Sequence, residues 1–166
     1  MNENSNILNH LQILQKIDRI AFQIVEDNWN EEIIYIVGIA NKGYILAEKL
    51  KENLLKISDL KVELVKLTIN KRNSIECLSS DEKLPIPENT VVVLVDDVLN
   101  TGETLIHASH LILKHKIKKL RTVVLIDRRH RLFPIKADYA GLTLSTTLEN
   151  NIEVVYENEE FLAFLE

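Results

Sequence analysis

Two adjacent carboxylates followed by a short polar turn form the stretch of this chain best suited to chemistry. Asp96 and Asp97 follow the apolar run 91–95, and the turn 101–104, Thr-Gly-Glu-Thr, comes shortly after. The free N–H groups of a helix that begins at this turn would bind a phosphate, and the helix dipole favours that anion. The carboxylates suit instead the hydroxyls of a sugar, or a cation that accompanies phosphates. The stretch therefore predicts a ligand that carries a phosphate beside a ribose.

A buried strand and an amphipathic helix must position that turn. Four of the five residues in 91–95 are β-branched, which favours a strand buried on both faces. Gly102 allows the backbone to approach an anion closely, and the hydroxyls of Thr101 and Thr104 suit phosphate oxygens. The alternative is a buried strand with two solvated carboxylates and a threonine-capped helix. Apolar residues at helical spacing predict the helix itself: Leu105, Ala108, Leu111 and Ile112.

The stretch resembles the signature with which type I phosphoribosyltransferases bind PRPP, 5-phosphoribosyl-1-pyrophosphate. In that signature an apolar strand, two acidic residues and a Thr-Gly-x-Thr turn follow one another. The resemblance implies that Asp96 and Asp97 are catalytic, that they bind the ribose hydroxyls, and that they lie near Mg²⁺, directly or through water. It assigns binding of PRPP and its 5′-phosphate to the turn: Asn100, Thr101, Gly102, Glu103 through its N–H, and Thr104.

A second strand, turn and helix pattern lies upstream of this stretch. The apolar run 33–37 ends at Gly38, and helical spacing resumes at Ile45. Beside the central stretch, the turn resembles the pyrophosphate-binding loop of the same enzymes. Its backbone N–H groups would hold the diphosphate, and its lysine either supplies charge there or is a solvated loop residue. The residues so assigned to PRPP are Ala40, Asn41, Lys42 and Gly43.

The segment 127–141 narrows the resemblance to one family. It is similar to the Asp-Arg-Gly-His-Arg-x-x-Pro-Ile-x-Ala-Asp-Tyr/Phe-x-Gly pattern of pyrimidine-operon attenuator proteins that are also uracil phosphoribosyltransferases. In that family the segment helps to form a hood over the base. The alternative is a basic surface turn before an edge strand at 139–144. The resemblance therefore implies a base-binding hood at Arg128, Arg129, His130 and Arg131.

Two positions depart from the patterns of related enzymes. Arg129 stands where the attenuator family usually has glycine, so the shape of the hood is expected to differ. Asn100 stands where purine-using relatives often carry an aspartate that assists the base. An amide is a poorer base than a carboxylate, which disfavours a purine substrate.

About twenty mostly hydrophilic residues, 70–89, separate a predicted strand at 61–68 from the central stretch. A loop of that length in a compact domain is usually functional or disordered. In type I phosphoribosyltransferases a flexible loop at this point closes over the substrate, so the resemblance implies catalytic roles for Lys71 and Arg72. The alternative is a mobile surface loop with ordinary charges. The Tyr-Arg pair expected for the family near residue 70 is missing, so slow or absent turnover also stays open.

The remaining patterns predict a single phosphoribosyltransferase domain over residues 1–166. Helical spacing indicates a helix at about 6–28, with Trp29 as a core or edge anchor beyond it. The predicted fold is α/β and type I phosphoribosyltransferase-like, with a central, mostly parallel sheet flanked by helices, a flexible loop and a small hood. Further strands are predicted at 120–126 and 152–156, and a docking tail at 161–165.

Composition limits the classes of partner. The net charge of −5 disfavours strong nonspecific nucleic-acid binding, and one cysteine among 166 residues excludes an internal disulfide. No apolar run of eighteen residues occurs, so no membrane partner is expected. The first residues lack the pattern of a signal peptide, which favours the cytoplasm. The basic segment 114–121 is expected to be a solvated face at a helix end, and the histidines beside it solvated.

The predicted reaction is transfer of a phosphoribosyl group from PRPP to uracil, which yields UMP and pyrophosphate. Two alternatives remain open. One is an RNA-binding pyrimidine-operon attenuator that responds to nucleotide, which the acidic composition does not favour. The other is a catalytically weak sensor of PRPP or nucleotide. A homodimer is the expected assembly.

Overall fold

Two β-sheets and three helices make up the computed structural model, which describes residues 5–68, 84–145 and 151–165. The predicted catalytic residues Lys71 and Arg72 lie outside these ranges. The elements in chain order are β1 (Ser5–Leu8), α1 (His10–Asp27), β2 (Ile33–Ile39), α2 (Lys42–Ile57), β3 (Lys61–Leu67), β4 (Val91–Leu99), α3 (Glu103–Leu113), β5 (Lys119–Asp127), β6 (Tyr139–Thr143), β7 (Ile152–Glu157) and β8 (Glu160–Leu165).

The main sheet has five strands in the order β3-β2-β4-β5-β6, and every neighbouring pair is parallel. From β2 the chain moves outward to β3 and then returns to β4 on the other side of β2. This reversal creates a switch point between β2 and β4, where the carboxyl ends of the strands leave a crevice for a ligand. The predicted parallel sheet is confirmed, with β3 and β6 at its edges.

Helices cover both faces of this sheet. The apolar residues of α1 and α2 pack on one face with Val91, Val93 and Val95. The apolar residues of α3 pack on the other face with Val92 and Leu94. All five strand residues are at most 1% exposed, which agrees with the doubly buried strand that their β-branched sequence predicts.

The chain ends form a second, antiparallel sheet in the order β1-β8-β7, which we call the terminal sheet. The prediction of one helix over 6–28 is wrong at its start. Asn9 and Gln12 form a reciprocal capping box at 2.9 and 3.0 Å that begins the helix at His10. The residues before Asn9 pair with β8 instead, so the predicted docking tail is a strand.

Two further expectations are corrected by the structure. Trp29 is 81% exposed, whereas Asn28 is fully buried and its amide donates to the carbonyl of Ile24 at 2.8 Å. The side chain of Asn28 therefore occupies the interior, and the side chain of Trp29, expected to be a core or edge anchor, lies in solvent. In the long loop, Ile86 is 7% exposed and packs in the core beside α3, so the end of that loop is anchored.

The basic segment after α3 is more than a solvated face, because carboxylates neutralise much of it. Lys119 and Arg121 both contact Asp27 at the end of α1, at 3.2 and 2.8 Å. Lys118 contacts Glu31 at 2.6 Å. None of the helices in the described ranges is long and apolar enough to span a membrane.

Candidate active site

The acidic pair lies inside β4 rather than after it. Pairing between β4 and β5 continues from Asp96 with Val124 to Leu99 with Asp127, whereas pairing between β4 and β2 stops at Val95. The prediction that the strand ends at residue 95 is therefore wrong, because β5 supports it for four more residues. Both carboxylates are half-buried and lie in the part of β4 that no longer pairs with β2. They consequently lie at the crevice of the switch point.

Two glycines bring the start of α2 against this crevice. A Cβ on Gly43 would lie 2.7 Å from the carbonyl oxygen of Val95 and 3.1 Å from the Cα of Asp96. A Cβ on Gly38 would lie 2.5 Å from the Cα of Tyr44. The separations of 2.7 and 2.5 Å are too short for a real Cβ, so each glycine permits direct contact between helix and strand. The first turn of α2 thereby reaches the carboxylates.

Two lysines connect the start of α2 and the turn before it to other elements of the chain. Ala40 adopts a positive φ of 50°, and its N–H donates to the carbonyl of Leu67 at 2.7 Å. The Asn41 Oδ1 accepts a hydrogen bond from Lys66 Nζ at 2.9 Å. Lys42 Nζ lies 2.9 Å from Glu153 Oε1 in the terminal sheet. Neither Lys66 nor Glu153 was predicted, because each lies far away along the chain.

In the predicted phosphate turn after β4, residues 100–104, the glycine before α3 adopts a left-handed backbone conformation. Gly102 has a φ of 88°, and its carbonyl accepts the N–H of Ile106 at 2.9 Å. The N–H of Glu103 is directed to the hydroxyl of Thr101 at 3.3 Å. A Cβ on Gly102 would lie 2.7 Å from the Ile135 Cγ2. The turn and the neighbouring loop therefore both require a glycine at position 102.

A loop after β5, residues 128–135, is fastened to this turn, and we call it the hood loop. Two of its backbone N–H groups donate to the carbonyl of Thr101, at 2.9 and 3.1 Å. Arg128 is only 5% exposed, and its guanidinium donates to Asn100 Oδ1 at 2.9 Å. The structure therefore brings the predicted hood and the predicted phosphate turn together. Arg128, the first residue of the hood loop, is buried and connects the two.

Asp127 organises the hood loop and was missed from the sequence. Its carboxylate accepts the N–H of Arg129 at 2.9 Å and the guanidinium of Arg131 at 2.5 Å. Arg129 adopts a φ of 56°, a left-handed conformation that favours glycine. The glycine expected from the resemblance would suit this conformation, which this chain adopts with an arginine. His130 is half-buried in the same loop.

A charged group of structural importance, Asp27 with Arg121, lies away from this site, near the amino ends of β5 and β6. The guanidinium of Arg121 holds the pKa of Asp27 well below its usual range. Burial, followed by the hydrogen bond with Asp27, raises the pKa of Tyr139 to about 12. These groups join α1 to β5 and β6, so their role is structural. Among the described residues, no group of three or more His, Cys, Asp and Glu is arranged to hold a metal ion.

Comparison with known proteins agrees with this geometry. The family model described as "Phosphoribosyl transferase domain" matches residues 3–160. The bifunctional protein PyrR of Streptococcus thermophilus is 34% identical over 156 residues, covering 92% of this chain and 90% of that protein. The bifunctional protein PyrR of Fusobacterium nucleatum is 37% identical over 150 residues, covering 86% and 85%.

Solved structures of related enzymes share the fold. A hypoxanthine-guanine phosphoribosyltransferase from Bacillus anthracis superposes with a TM-score of 0.74 at 16% identity, covering 99% of both chains. A hypoxanthine phosphoribosyltransferase from Trypanosoma cruzi gives a TM-score of 0.73 at 18% identity, covering 96% and 95%. The resemblance predicted from the motifs, including that to the attenuator family, is confirmed. This chain belongs to the phosphoribosyl transferase domain family.

Proposed function

We propose that this protein transfers a phosphoribosyl group from PRPP to uracil and releases UMP and pyrophosphate. The observation that carries the proposal is the arrangement at the switch point. Two helix-starting turns lie at the carboxyl ends of β2 and β4, and the half-buried pair of carboxylates lies between them. A ligand with a phosphate, a ribose and a diphosphate matches this order of donors and acceptors.

Each part of the site has a distinct task in this reaction. The N–H groups at the start of α3 and the hydroxyls of Thr101 and Thr104 bind the 5′-phosphate, and the turn before α2 binds the diphosphate. Asp96 and Asp97 accept hydrogen bonds from the ribose hydroxyls and so orient the sugar. Their negative charge also stabilises the cationic, oxocarbenium-like sugar as its bond to pyrophosphate breaks and its bond to uracil nitrogen forms. The proton that this nitrogen loses passes to the departing pyrophosphate or to water.

The carboxylate pair also fits Mg²⁺, the cofactor that the resemblance implies. Mg²⁺ is commonly held by one or two carboxylates together with substrate phosphates and water. Asp96 and Asp97 are adjacent and half-buried at the crevice, so they offer such a donor set once PRPP is present. When bound, the ion supplies positive charge that neutralises the departing pyrophosphate.

The contact between Arg128 and Asn100 favours a pyrimidine over a purine. The Asn100 oxygen already accepts a hydrogen bond from Arg128 at 2.9 Å. An amide oxygen engaged in this way is poorly suited to take a proton from a purine nitrogen. The hood loop, with Arg129 exposed and His130 and Arg131 half-buried, is the proposed cover over uracil.

Several assignments rest on the sequence and the family resemblance. They are the catalytic roles of Lys71 and Arg72, action of residues 1–166 as one domain, a homodimer and a cytoplasmic location. We retain each as part of the proposal.

A panel of bases tested with PRPP and Mg²⁺ examines the proposal directly, with pyrophosphate release as the signal. We expect uracil to be the preferred base. The double variant Asp96→Asn, Asp97→Asn should lower kcat/KM more than about tenfold, or about 1.4 kcal/mol of transition-state stabilisation. Asp59→Asn, at the opposite end of the sheet, is the matched control and should be as active as wild type. Full activity of the double variant would refute the assignment of the carboxylates.

RNA binding is a second candidate function, implied by the resemblance to the attenuator family; the relatives are described as bifunctional proteins. The basic segment is a poor surface for it, because Lys118, Lys119 and Arg121 pair with carboxylates. A gel-shift titration against salt tests this function, since phosphate contacts give a steep salt dependence. PRPP binding in calorimetry without pyrophosphate release for any base would indicate a sensor instead.

A further inference from the structure

We infer that Lys66 supplies the positive charge for the diphosphate of PRPP, and that Lys42 instead links α2 to the terminal sheet. The inference rests on the proposed function and concerns the diphosphate part of that site. It assigns a binding role to a residue of the edge strand β3, outside the turn that the sequence motif covers.

The position of Lys66 places an ammonium group beside the turn before α2. Lys66 pairs in register with Gly38 near the carboxyl end of β3. Its Nζ lies 2.9 Å from the Oδ1 of Asn41 and 5.3 Å from the centre of the Tyr44 ring. Both contacts are to neutral groups at the start of α2. Within the described ranges, this ammonium makes no ion pair with a carboxylate.

Lys42 has the opposite surroundings, although it belongs to the predicted diphosphate-binding motif and is the first residue of α2. Its Nζ lies 2.9 Å from Glu153 Oε1 on β7. The two side chains line a cleft of about 260 Å³ between α2 and the terminal sheet, together with Tyr156 and Phe161. The charge of Lys42 is therefore neutralised on the side of the terminal sheet.

The chemistry of the ammonium group decides between these two lysines. An ammonium has three donors, and the contact with Asn41 uses one of them, so Lys66 keeps donors for phosphate oxygens. Within the described part of the chain, the Asn41 side chain makes no capping bond to α2. This side chain therefore does not compete with an anion for the first N–H groups of the helix. Lys42 must give up an ion pair before it binds an anion, whereas Lys66 gives up only a bond to a neutral amide.

Glutamine substitutions at three lysines test this inference. Lys66→Gln keeps a donor for Asn41 but removes the charge, so it separates charge from positioning. Lys61→Gln makes the same change at the other end of β3, where the lysine is also exposed, and is the matched control. Lys42→Gln removes the lysine that the motif favours. Lys66→Arg keeps the charge and should retain most of the affinity.

The measurement is calorimetric binding of PRPP with Mg²⁺ over a range of salt concentrations. We expect Lys66→Gln to raise the Kd about tenfold, as loss of a charged hydrogen bond predicts, and to make the salt dependence less steep. Lys61→Gln should bind as wild type does, and Lys42→Gln should bind within about threefold, as for a surface ion pair. Thermal melts confirm that each variant is folded.

Two outcomes would overturn the inference while the proposed function stands. One is a wild-type protein that binds PRPP and a Lys66→Gln variant that binds like the Lys61→Gln control. The other is a tenfold loss for Lys42→Gln. If wild-type protein fails to bind PRPP at all, the proposed function and this inference both fail.

Discussion

Asp127 couples the hood loop to the end of β5, and Asp127→Asn is the change that tests this coupling. Asp127 is 8% exposed, and its carboxylate accepts hydrogen bonds from the backbone of Arg129 and from the guanidinium of Arg131. Asparagine has the same shape, but one of its two polar atoms is a donor. One of the two accepted hydrogen bonds must therefore be replaced by a contact between two donors.

The size of this effect follows from the surroundings of the ion pair. A hydrogen bond to a charged group contributes about 1.5–3 kcal/mol. The side chain of Arg131 is 27% exposed, so water compensates for part of the loss, and we expect about 2 kcal/mol of destabilisation. For a domain of this length, that corresponds to a fall in Tm of about 4–8 °C.

The hood loop should remain attached in the variant, because the carbonyl of Thr101 still accepts two of its backbone N–H groups. The loop is expected to lose order near Arg131, and the base must then restore that order when it binds. We expect the KM for the base to rise about tenfold, which corresponds to about 1.4 kcal/mol. The KM for PRPP should change little, since the loop covers the base.

A double-mutant cycle measures the coupling between the two side chains. It compares Asp127→Asn, Arg131→Met and the double variant by urea unfolding, and we expect a coupling energy of about 1.5 kcal/mol. A coupling below about 0.5 kcal/mol would refute the stabilising role of this contact. Asp138→Asn is the control. Its carboxylate accepts from Thr122 at the start of β5, so it should affect stability without changing the KM for the base.

Two further predictions concern stability. Arg129→Gly should exceed Arg129→Ala in Tm by about 1–4 °C, because relief of the left-handed strain, about 1–2 kcal/mol, outweighs the unfolded-state entropy of glycine, about 0.4–1 kcal/mol. A Tm for Arg129→Gly below that of Arg129→Ala would show that the φ of 56° carries no strain, since only the entropy cost of glycine would then remain. Asp27→Asn should cost about 1–2 kcal/mol at pH 7, since Arg121 lowers the pKa of this carboxylate in the folded state. That contribution is present above the unfolded pKa of about 4 and is lost as pH falls toward the lowered folded value, so wild type and variant should converge in acid. A difference in unfolding free energy that is independent of pH would contradict this origin.

Local patterns in the sequence were sufficient to predict the central strand, the two helix-starting turns and the family. The run 91–95 is so uniformly apolar that only a doubly buried strand suits it, and all five residues are buried. Each turn motif acts through backbone N–H groups and glycines that lie within a few residues of one another. Neighbouring residues alone therefore determine these turns. The acidic pair and the glycines were recognisable for the same reason.

The tertiary structure alone decided where strands end and which charges meet. β4 continues to Leu99 because β5 pairs with it, and Ser5 to Leu8 form a strand because the far end of the chain, β8, lies beside them. Lys42 and Lys66 are both lysines near one turn, yet Glu153 and Asn41 give them different partners. The periodicity of apolar residues along a sequence predicts which side chains are buried. It does not predict which distant segment of the chain packs against them. For that physical reason, the partners of the site's charged side chains became known only from the fold.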